Sequence, residues 1–522
     1  MNTIMKRSYF ILPMMLGIVV LAASFAQAKT PGTSTYIIGE SPKADWGYPS
    51  PFTFYKRGPG YVRMMMIFDS LTWKDDRGVI PWLAESWMYN ESALTYTFTL
   101  RKGVCWHDGK PFSAADVVFT YHYFKRYPHP WFNVKAIKEV AVLDQHRVLF
   151  KLSQPFAPFL DPVTCSIPII PKHAWENIKY PNKYTDPEAL IGTGPYTLKT
   201  YARERGFYEF TANTMFWGGS PMIKTLIFKK VGDPQMAALK GEVDQVRIKP
   251  EAISMLKAKH IAVLHTPHFW NAKLMINHKK PPMDAKEFRQ ALAHALDLDE
   301  IVKRGLRGRG EPASPALIPP DNLWFNPNIP KYPHNLTRVK ELMSSLGYTQ
   351  REGVWSKDSH ALKLTVLTRK EFSRMAQIIN HQFRKAGFAF EFQSLSPTTV
   401  DAKVTAWDFD LAISGHGGIG GDPMLYDSFV RAKYHNSARF HHPELDSLIE
   451  EQFKEMDSTR RKSIVNRMQA LYAELLPAIS LYYPTKYYAV SGRIPLFFTQ
   501  GGIGKGVPLF QNKISFITAG MP

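Results

Sequence analysis

The hydrophobic pattern of the chain switches repeatedly between two periods. From Leu94 to Leu100, Tyr96, Phe98 and Leu100 alternate with Thr95, Thr97 and Thr99, which predicts a strand with one face in a core. His107-Asp108-Gly109-Lys110 then supplies turn chemistry. Ser113 stands three residues before Asp116 and ahead of Val117, Val118 and Phe119, a capping box that opens a helix with its acid at the positive end. Further along, 147–152, 362–367 and 409–414 read as strands, whereas between 286 and 296 Phe288, Ala291, Leu292, Ala295 and Leu296 fall on one helical face. The run from Pro477 through Ala478, Ile479, Ser480, Leu481 and Tyr482 to Tyr483 reads as another strand. With no internal repeat and no low-complexity segment, this interleaving predicts an α/β protein.

The start of the chain follows a different pattern. Lys6 and Arg7 precede an uncharged stretch, 9–25, and Ala26-Gln27-Ala28 supplies the small-x-small site of a secretory signal peptide, predicted over 1–28 with a mature chain from Lys29. No cysteine follows the apolar stretch, so a lipid anchor is not encoded and a soluble periplasmic protein is expected. Beyond Lys29 no apolar run approaches the roughly 20 residues of a membrane span. The most apolar candidate, 156–170, is broken by Pro158, Pro162 and Pro168.

The 522 residues exceed what one hydrophobic core serves, so two or three domains are expected, and 45% hydrophobic with 13% aromatic residues is ample material for them. A formal net charge of +20 raises nucleic acid, an anionic membrane surface or an anionic ligand as a partner. The densest basic spots, 303–309 and 459–462, are nevertheless short and carry no interleaved aromatics, so the charge reads as solvated surface and no nucleic acid is expected. Cys105 and Cys165 are the two cysteines; in an oxidising compartment one disulfide and two separate thiols both stand open.

Enzyme chemistry finds little support. No glycine-x-serine-x-glycine elbow, zinc-protease helix or phosphate-loop lysine occurs, and Asp75-Asp76 and Glu450-Glu451 read as solvated carboxylates. His107-Asp108 reads as part of its turn, not as half of a catalytic pair. Gly415-His416-Gly417-Gly418-Ile419-Gly420 satisfies the spacing of a dinucleotide fingerprint, but no ribose-binding acid follows within a βαβ unit, so no cofactor is expected. His265, His268, His441 and His442 lack metal-site spacing and read as surface residues, Met64-Met65-Met66 reads as core filling, and His416 is left as the metal candidate.

The run from Leu94 to Phe119, with Pro81-Trp82-Leu83-Ala84-Glu85-Ser86-Trp87 upstream, resembles the extracellular solute-binding proteins of family 5, the peptide- and nickel-binding receptors of ABC importers. Gly192-Thr193-Gly194-Pro195-Tyr196, Arg289-Gln290-Ala291-Leu292 through Asp297 to Ile301, Trp407-Asp408-Phe409-Asp410-Leu411, and Asn436-Ser437-Ala438-Arg439 with Pro443-Glu444-Leu445-Asp446 extend the resemblance over essentially the whole mature chain. It implies a two-lobed receptor with its cleft between the lobes: 29–67, 190–268 and 478–522 as the core of lobe I, 68–189 as a subdomain inserted in it, and 269–477 as lobe II. It further implies a monomer that is no enzyme, holds no cofactor and hands a peptide or peptide-like solute to an inner-membrane ABC permease. A receptor for nickel or a metal-chelator complex is the alternative, and a secreted chaperone or peptide-handling protein is the alternative from another class.

By the same resemblance the glycine-rich loop faces the ligand, which makes His416, Gly417, Gly418 and Asp422, with Trp270, Asn271 and Trp407, the candidate ligand-binding residues. The loop departs from the peptide-binding members. When Asp422-Pro423 is aligned with their acid-proline pair, Ile419 replaces the aspartate that meets a peptide's α-ammonium, and His416 replaces a stacking tryptophan. Recognition chiefly through a free α-amine is therefore not expected. Asp422 could still supply charge, although in those relatives the equivalent acid mainly caps the following helix.

Overall fold

A computed structural model describes residues 34–41, 43–56, 58–431, 437–503 and 510–517. The expected signal peptide and Asn436 lie outside the described residues. Two mixed sheets carry the architecture. The first has seven strands in the order Ala262–His265, Tyr487–Val490, Gln245–Ile248, Thr35–Glu40, Thr225–Lys230, Phe207–Ala212 and Tyr196–Ala202. Thr35–Glu40 is central and parallel to both neighbours, and its alternate residues Tyr36 and Ile38 enter the core. The second sheet has six strands, ordered Gly310–Pro312, Ala478–Pro484, Trp270–Ile276, Leu411–Gly417, Thr365–Arg369 and Glu391–Leu395.

Between the first sheet's central strand Thr35–Glu40 and its edge strand Tyr196–Ala202 the chain makes a smaller four-stranded sheet, Ala84–Asn90, Thr95–Leu100, Arg147–Leu152 and Ile137–Asp144, covered by the helix Ala114–Arg126. The alternation read from the sequence decides its faces: Tyr96, Phe98 and Leu100 point inward with Val148, Phe150 and Leu152. The Asp116 carboxylate accepts from the Ser113 backbone N–H at 3.0 Å, closing the helix start as the capping box requires. Phe98 and Phe150 pack edge to face 5.4 Å apart in a core that is continuous with Tyr36, Phe210 and Phe228 of the first sheet. Burying each such ring is worth roughly 1.5–3 kcal/mol. The inserted segment thus shares the first sheet's core, while the second sheet has a core of its own.

The Gly192-Thr193-Gly194 turn is explained by proximity. Its backbone runs against the end of the helix Gly58–Ile67, where the Gly194 N–H donates to Ile67 O at 2.8 Å and a Cβ on Gly192 would lie 2.0 Å from the same oxygen. Any side chain there would push the turn off the helix.

The chain crosses between the sheets twice, side by side. Ala262–His265 pairs with Tyr487–Val490 in the first sheet, the Thr266 N–H donates to Lys486 O at 2.9 Å, and Trp270–Ile276 pairs with Ala478–Pro484 in the second. This corrects the expected return at 478. The strand Ala478–Pro484 belongs to the second sheet, buried along most of its length between Trp270–Ile276 and Gly310–Pro312, and the return falls at 485–486. Its largely apolar character, interrupted by Ser480, reflects burial on both faces.

Cys105 and Cys165 are both free thiols. Cys165 is buried, with its Sγ 3.2 Å from Thr72 Oγ1 and 3.4 Å from Trp73 O, and burial pushes its pKa up to about 12. Thiol titration should accordingly find Cys165 unreactive in the native protein and two reactive thiols after unfolding; a total of zero would show that the pair is bonded.

Candidate binding site between the lobes

Two adjoining cavities lie where the first sheet's lobe meets the second's. One, of about 350 Å³, is walled by Lys74 and Asp161, by His268 at the first crossing, by Asp321 and Trp324, and by Gly420 to Asp422. The other, of about 560 Å³, runs on between His129, Trp131 and Ser166 on one side and Asp422, Met424 and Ser428 on the other. Asp161, Asp422 and Gly501 line both and so form the waist between them.

The charges at this waist come as two ion pairs, one per lobe. Lys74 Nζ lies 2.5 Å from Asp161 Oδ1. Arg461 holds Asp422 with both arms of its guanidinium, at 2.6 Å to Oδ1 and 2.8 Å to Oδ2, a bidentate geometry that fixes the carboxylate. Asp422 also accepts from the Met424 N–H at 2.8 Å, the capping role expected of an acid before a proline-led turn. Burial and the facing Asp422 raise the Asp161 pKa against the pull of Lys74. At the crossing, His268 donates from its backbone to Asp321 Oδ2 at 2.8 Å, with its ring Nδ1 3.1 Å from the same oxygen. Burial works downward on His268, but Asp321 outweighs it and lifts the imidazole above its ordinary value. Outside the cavities, Phe156 stacks on Phe453, with rings 5.9 Å apart.

The residues expected from the sequence are distributed unevenly around this site. Asp422 is on the cavity wall. His416 is 3% exposed and lies flat on Phe429, ring centres 3.7 Å apart, one position from the end of the strand Leu411–Gly417. Asn271, fully buried, is its cross-strand partner. Trp270 turns into the second lobe's core, where a Cβ on Gly415 would lie 2.0 Å from its ring, so that glycine makes room for an indole and not for a phosphate. Gly417 and Gly418 carry the chain from the strand into the loop, whose carbonyls at Ile419 and Gly421 accept from Asn322 at 3.4 Å. Ile419 is buried in the cluster with Leu317 and Tyr483. Trp407 lies apart, in the left-handed conformation after the helix Pro397–Ala406, with the Arg439 guanidinium 4.7 Å over its ring. Among the described residues no group of three His, Cys, Asp or Glu side chains comes together that could hold a metal ion.

Asp161, Lys74, His268, Asp321 and Trp324 were not singled out as ligand residues from the sequence. Asp161 had a signal: it is the one acid in the otherwise apolar run 156–170, where a buried charge needs a reason.

Two lobes joined by paired crossings, with a charged cavity between them, define a hinged binding protein. The chain belongs to the bacterial extracellular solute-binding proteins, family 5, whose middle region it matches over residues 78–437. It is 27% identical over 446 residues to the dipeptide-binding protein of Escherichia coli (strain K12), covering 79% of this chain and 82% of that one. It is also 27% identical over 457 residues to the oligopeptide-binding protein AppA of Bacillus subtilis (strain 168), covering 81% and 82%. In fold it is similar to NikZ from Campylobacter jejuni, solved in complex with Ni(L-His), at a TM-score of 0.73 and 24% identity over 92% of this chain and 99% of that one. Among the described residues no helix is long and apolar enough to cross a membrane.

Proposed function

We propose that the chain is the secreted, periplasmic receptor of an ABC importer, which captures a peptide or peptide-like solute between its lobes and passes it unaltered to an inner-membrane permease. The observation that carries this reading is the pair of cavities at the lobe boundary, walled by charged side chains from both lobes. A solute seated there touches both lobes at once, so it favours the closed arrangement by its contacts across the gap. The paired crossings at 266–269 and 485–486 act as the hinge, 68–189 as the subdomain of lobe I, and cleavage before Lys29 releases the mature receptor. In this reading Asp422 meets the ligand region directly, whereas His416, Asn271 and Trp270 hold the loop from behind.

Native mass spectrometry of protein purified from its own periplasm should find one retained small solute. Small-angle scattering should show the radius of gyration falling when that solute is added back to stripped protein. Calorimetry against di- to pentapeptides, oligosaccharides, nickel with and without histidine, and an unfolded polypeptide separates the peptide reading from the metal-chelate and chaperone ones. Failure to retain or bind any of these would overturn the receptor reading.

A further inference from the structure

We propose that Phe156 and Phe453 form an apolar clasp that holds a share of the receptor closed before any solute arrives, so that affinity is set partly by a contact no solute touches. This rests on the receptor reading and adds to it a bias on closure built into the fold. The two rings lie 5.9 Å apart and are inclined at 20°, a stacked pair. Neither ring lines either cavity.

Each ring is seated in a different core. Phe156 is 9% exposed and belongs to the first sheet's core, where Phe159, three residues on, packs against Tyr96 and Phe150 with ring centres 4.7 and 5.7 Å apart. Phe453 stands in the last turn of the helix Pro443–Lys454, four residues after Ile449 and so on the same side as that buried residue, which clusters with Leu445, Leu448 and Tyr483. Phe453 packs against this cluster and against the first sheet's core as well, and Met424 and Met456 join it on the latter. A seam of apolar side chains therefore crosses from one lobe to the other beside the cavities.

The helix end that carries Phe453 does not move by itself. Arg461 donates through Nε to Gln452 O at 2.9 Å and through Nη2 to Gln452 Oε1 at 2.8 Å, while the same guanidinium grips Asp422 on the wall of both cavities. Met424, whose N–H is held by Asp422, lines the second cavity and packs on the first sheet's core. The clasp and this stretch of cavity wall are thus one piece, and when the rings meet the wall is in its closed position. Opening parts the rings and wets their faces, which costs free energy whatever the cleft contains. A solute that needs both lobes binds the closed form, so its apparent affinity scales with the closed share, and the clasp raises that share. Stacked rings, unlike an exposed ion pair, are not screened by salt.

The test is small-angle scattering on the mature protein stripped of solute, comparing the parent with Phe156→Leu, Phe453→Leu and the double variant, with melting temperatures to establish that each is folded. Leucine keeps an apolar side chain and removes the stack. Each single variant should raise the radius of gyration of the empty protein, the double should raise it no further, because the same contact is lost in all three, and the parent's radius should not grow at high salt. Calorimetry with a panel of di- to pentapeptides should find every peptide that binds weakened by one common factor, roughly threefold to tenfold, the worth of an aromatic pair. Unchanged radii in folded variants, increases that add in the double, or a parent that opens in salt would overturn the clasp. Weakening that differs from peptide to peptide would overturn it too, since the rings would then touch the solute. Where Phe156→Leu fails to fold, Phe453→Leu, at a ring only partly buried, decides alone. A protein that binds nothing and retains nothing from its periplasm overturns the receptor reading, whereas the scattering on empty protein still decides whether the rings hold the lobes together.

Discussion

Replacing Lys513 with methionine should destabilise the protein by about 3–5 kcal/mol, the cost of leaving a buried carboxylate without its cation. Lys513 Nζ lies 2.5 Å from Asp69 Oδ1 and 3.1 Å from Phe68 O, and the two side chains are 1% and 0% exposed. Their site is lined by indoles: the ammonium is 4.3 Å over Trp73 and 5.0 Å over Trp82. Asp69 also accepts from Trp82 Nε1 at 2.6 Å, Thr193 Oγ1 at 3.0 Å and Trp217 Nε1 at 3.1 Å, so it ties the segments carrying Lys513, Trp82 and Trp217 and the Gly192–Gly194 turn to one point. Three neutral donors do not balance a charge in so dry a place. Burial pulls the Lys513 pKa down from its ordinary value and Asp69 pulls it back up, as befits a pair that persists only because both partners are present. The measurement is equilibrium urea denaturation of Lys513→Met, Asp69→Asn and the double variant. The double should recover part of the loss, because neither charge is then left alone. A single variant within 1 kcal/mol of the parent would show that the pair contributes nothing net.

What the sequence made legible was local and periodic. Tyr96, Phe98 and Leu100 gave the inward face of a strand, and Ser113 with Asp116 gave the helix start, because both rest on interactions within a few residues. The return of the chain was misplaced from 485–486 to 478 because a strand buried on both sides looks the same in either sheet; only its pairing with Trp270–Ile276 tells which. The site was less legible still. Asp161 and Asp422 are far apart along the chain, and no periodicity links them; they meet because two lobes face each other. His416 drew attention as a polar residue among glycines, yet the strand Leu411–Gly417 carries its ring onto Phe429. A glycine-rich loop announces close approach without saying of what, and at Gly415 the answer is Trp270.

Arg289→Met should cost about 3–5 kcal/mol, and Arg289→Lys should recover little of it. The arginine is buried in the helix Lys286–His294, and its guanidinium closes the end of the long helix Ser458–Leu475. Nε and Nη2 donate to Leu475 O at 2.9 and 2.7 Å, Nε also to Leu476 O at 3.1 Å, and Nη1 to Met283 O and Asp284 O at 3.1 and 2.8 Å. The last carbonyls of a helix have no partner within it and carry the negative end of its dipole, so a cation there satisfies both needs. Methionine fills the space but leaves these acceptors dry and unmatched, at about 1–3 kcal/mol for each left without a partner. Lysine keeps the charge but offers one compact ammonium where the carbonyls lie in a planar fan. The same guanidinium bears on His278, which burial and the neighbouring charge push down to about 3, and whose Nε2 lies 2.7 Å from Pro477 O just beyond the helix. Burial lowers Arg289 itself to about 10, still well above neutrality, so it stays charged across the physiological range. It joins the helix Lys286–His294 to the end of the helix Ser458–Leu475, which leads into the strand Ala478–Pro484 and through it to the return crossing at 485–486. Loss of this arginine should therefore lower thermal stability and, measured by hydrogen exchange, loosen the amides of Ala478–Pro484 more than those of the first sheet. Uniform loosening of both sheets would show that Arg289 acts on the whole fold and not on the second lobe.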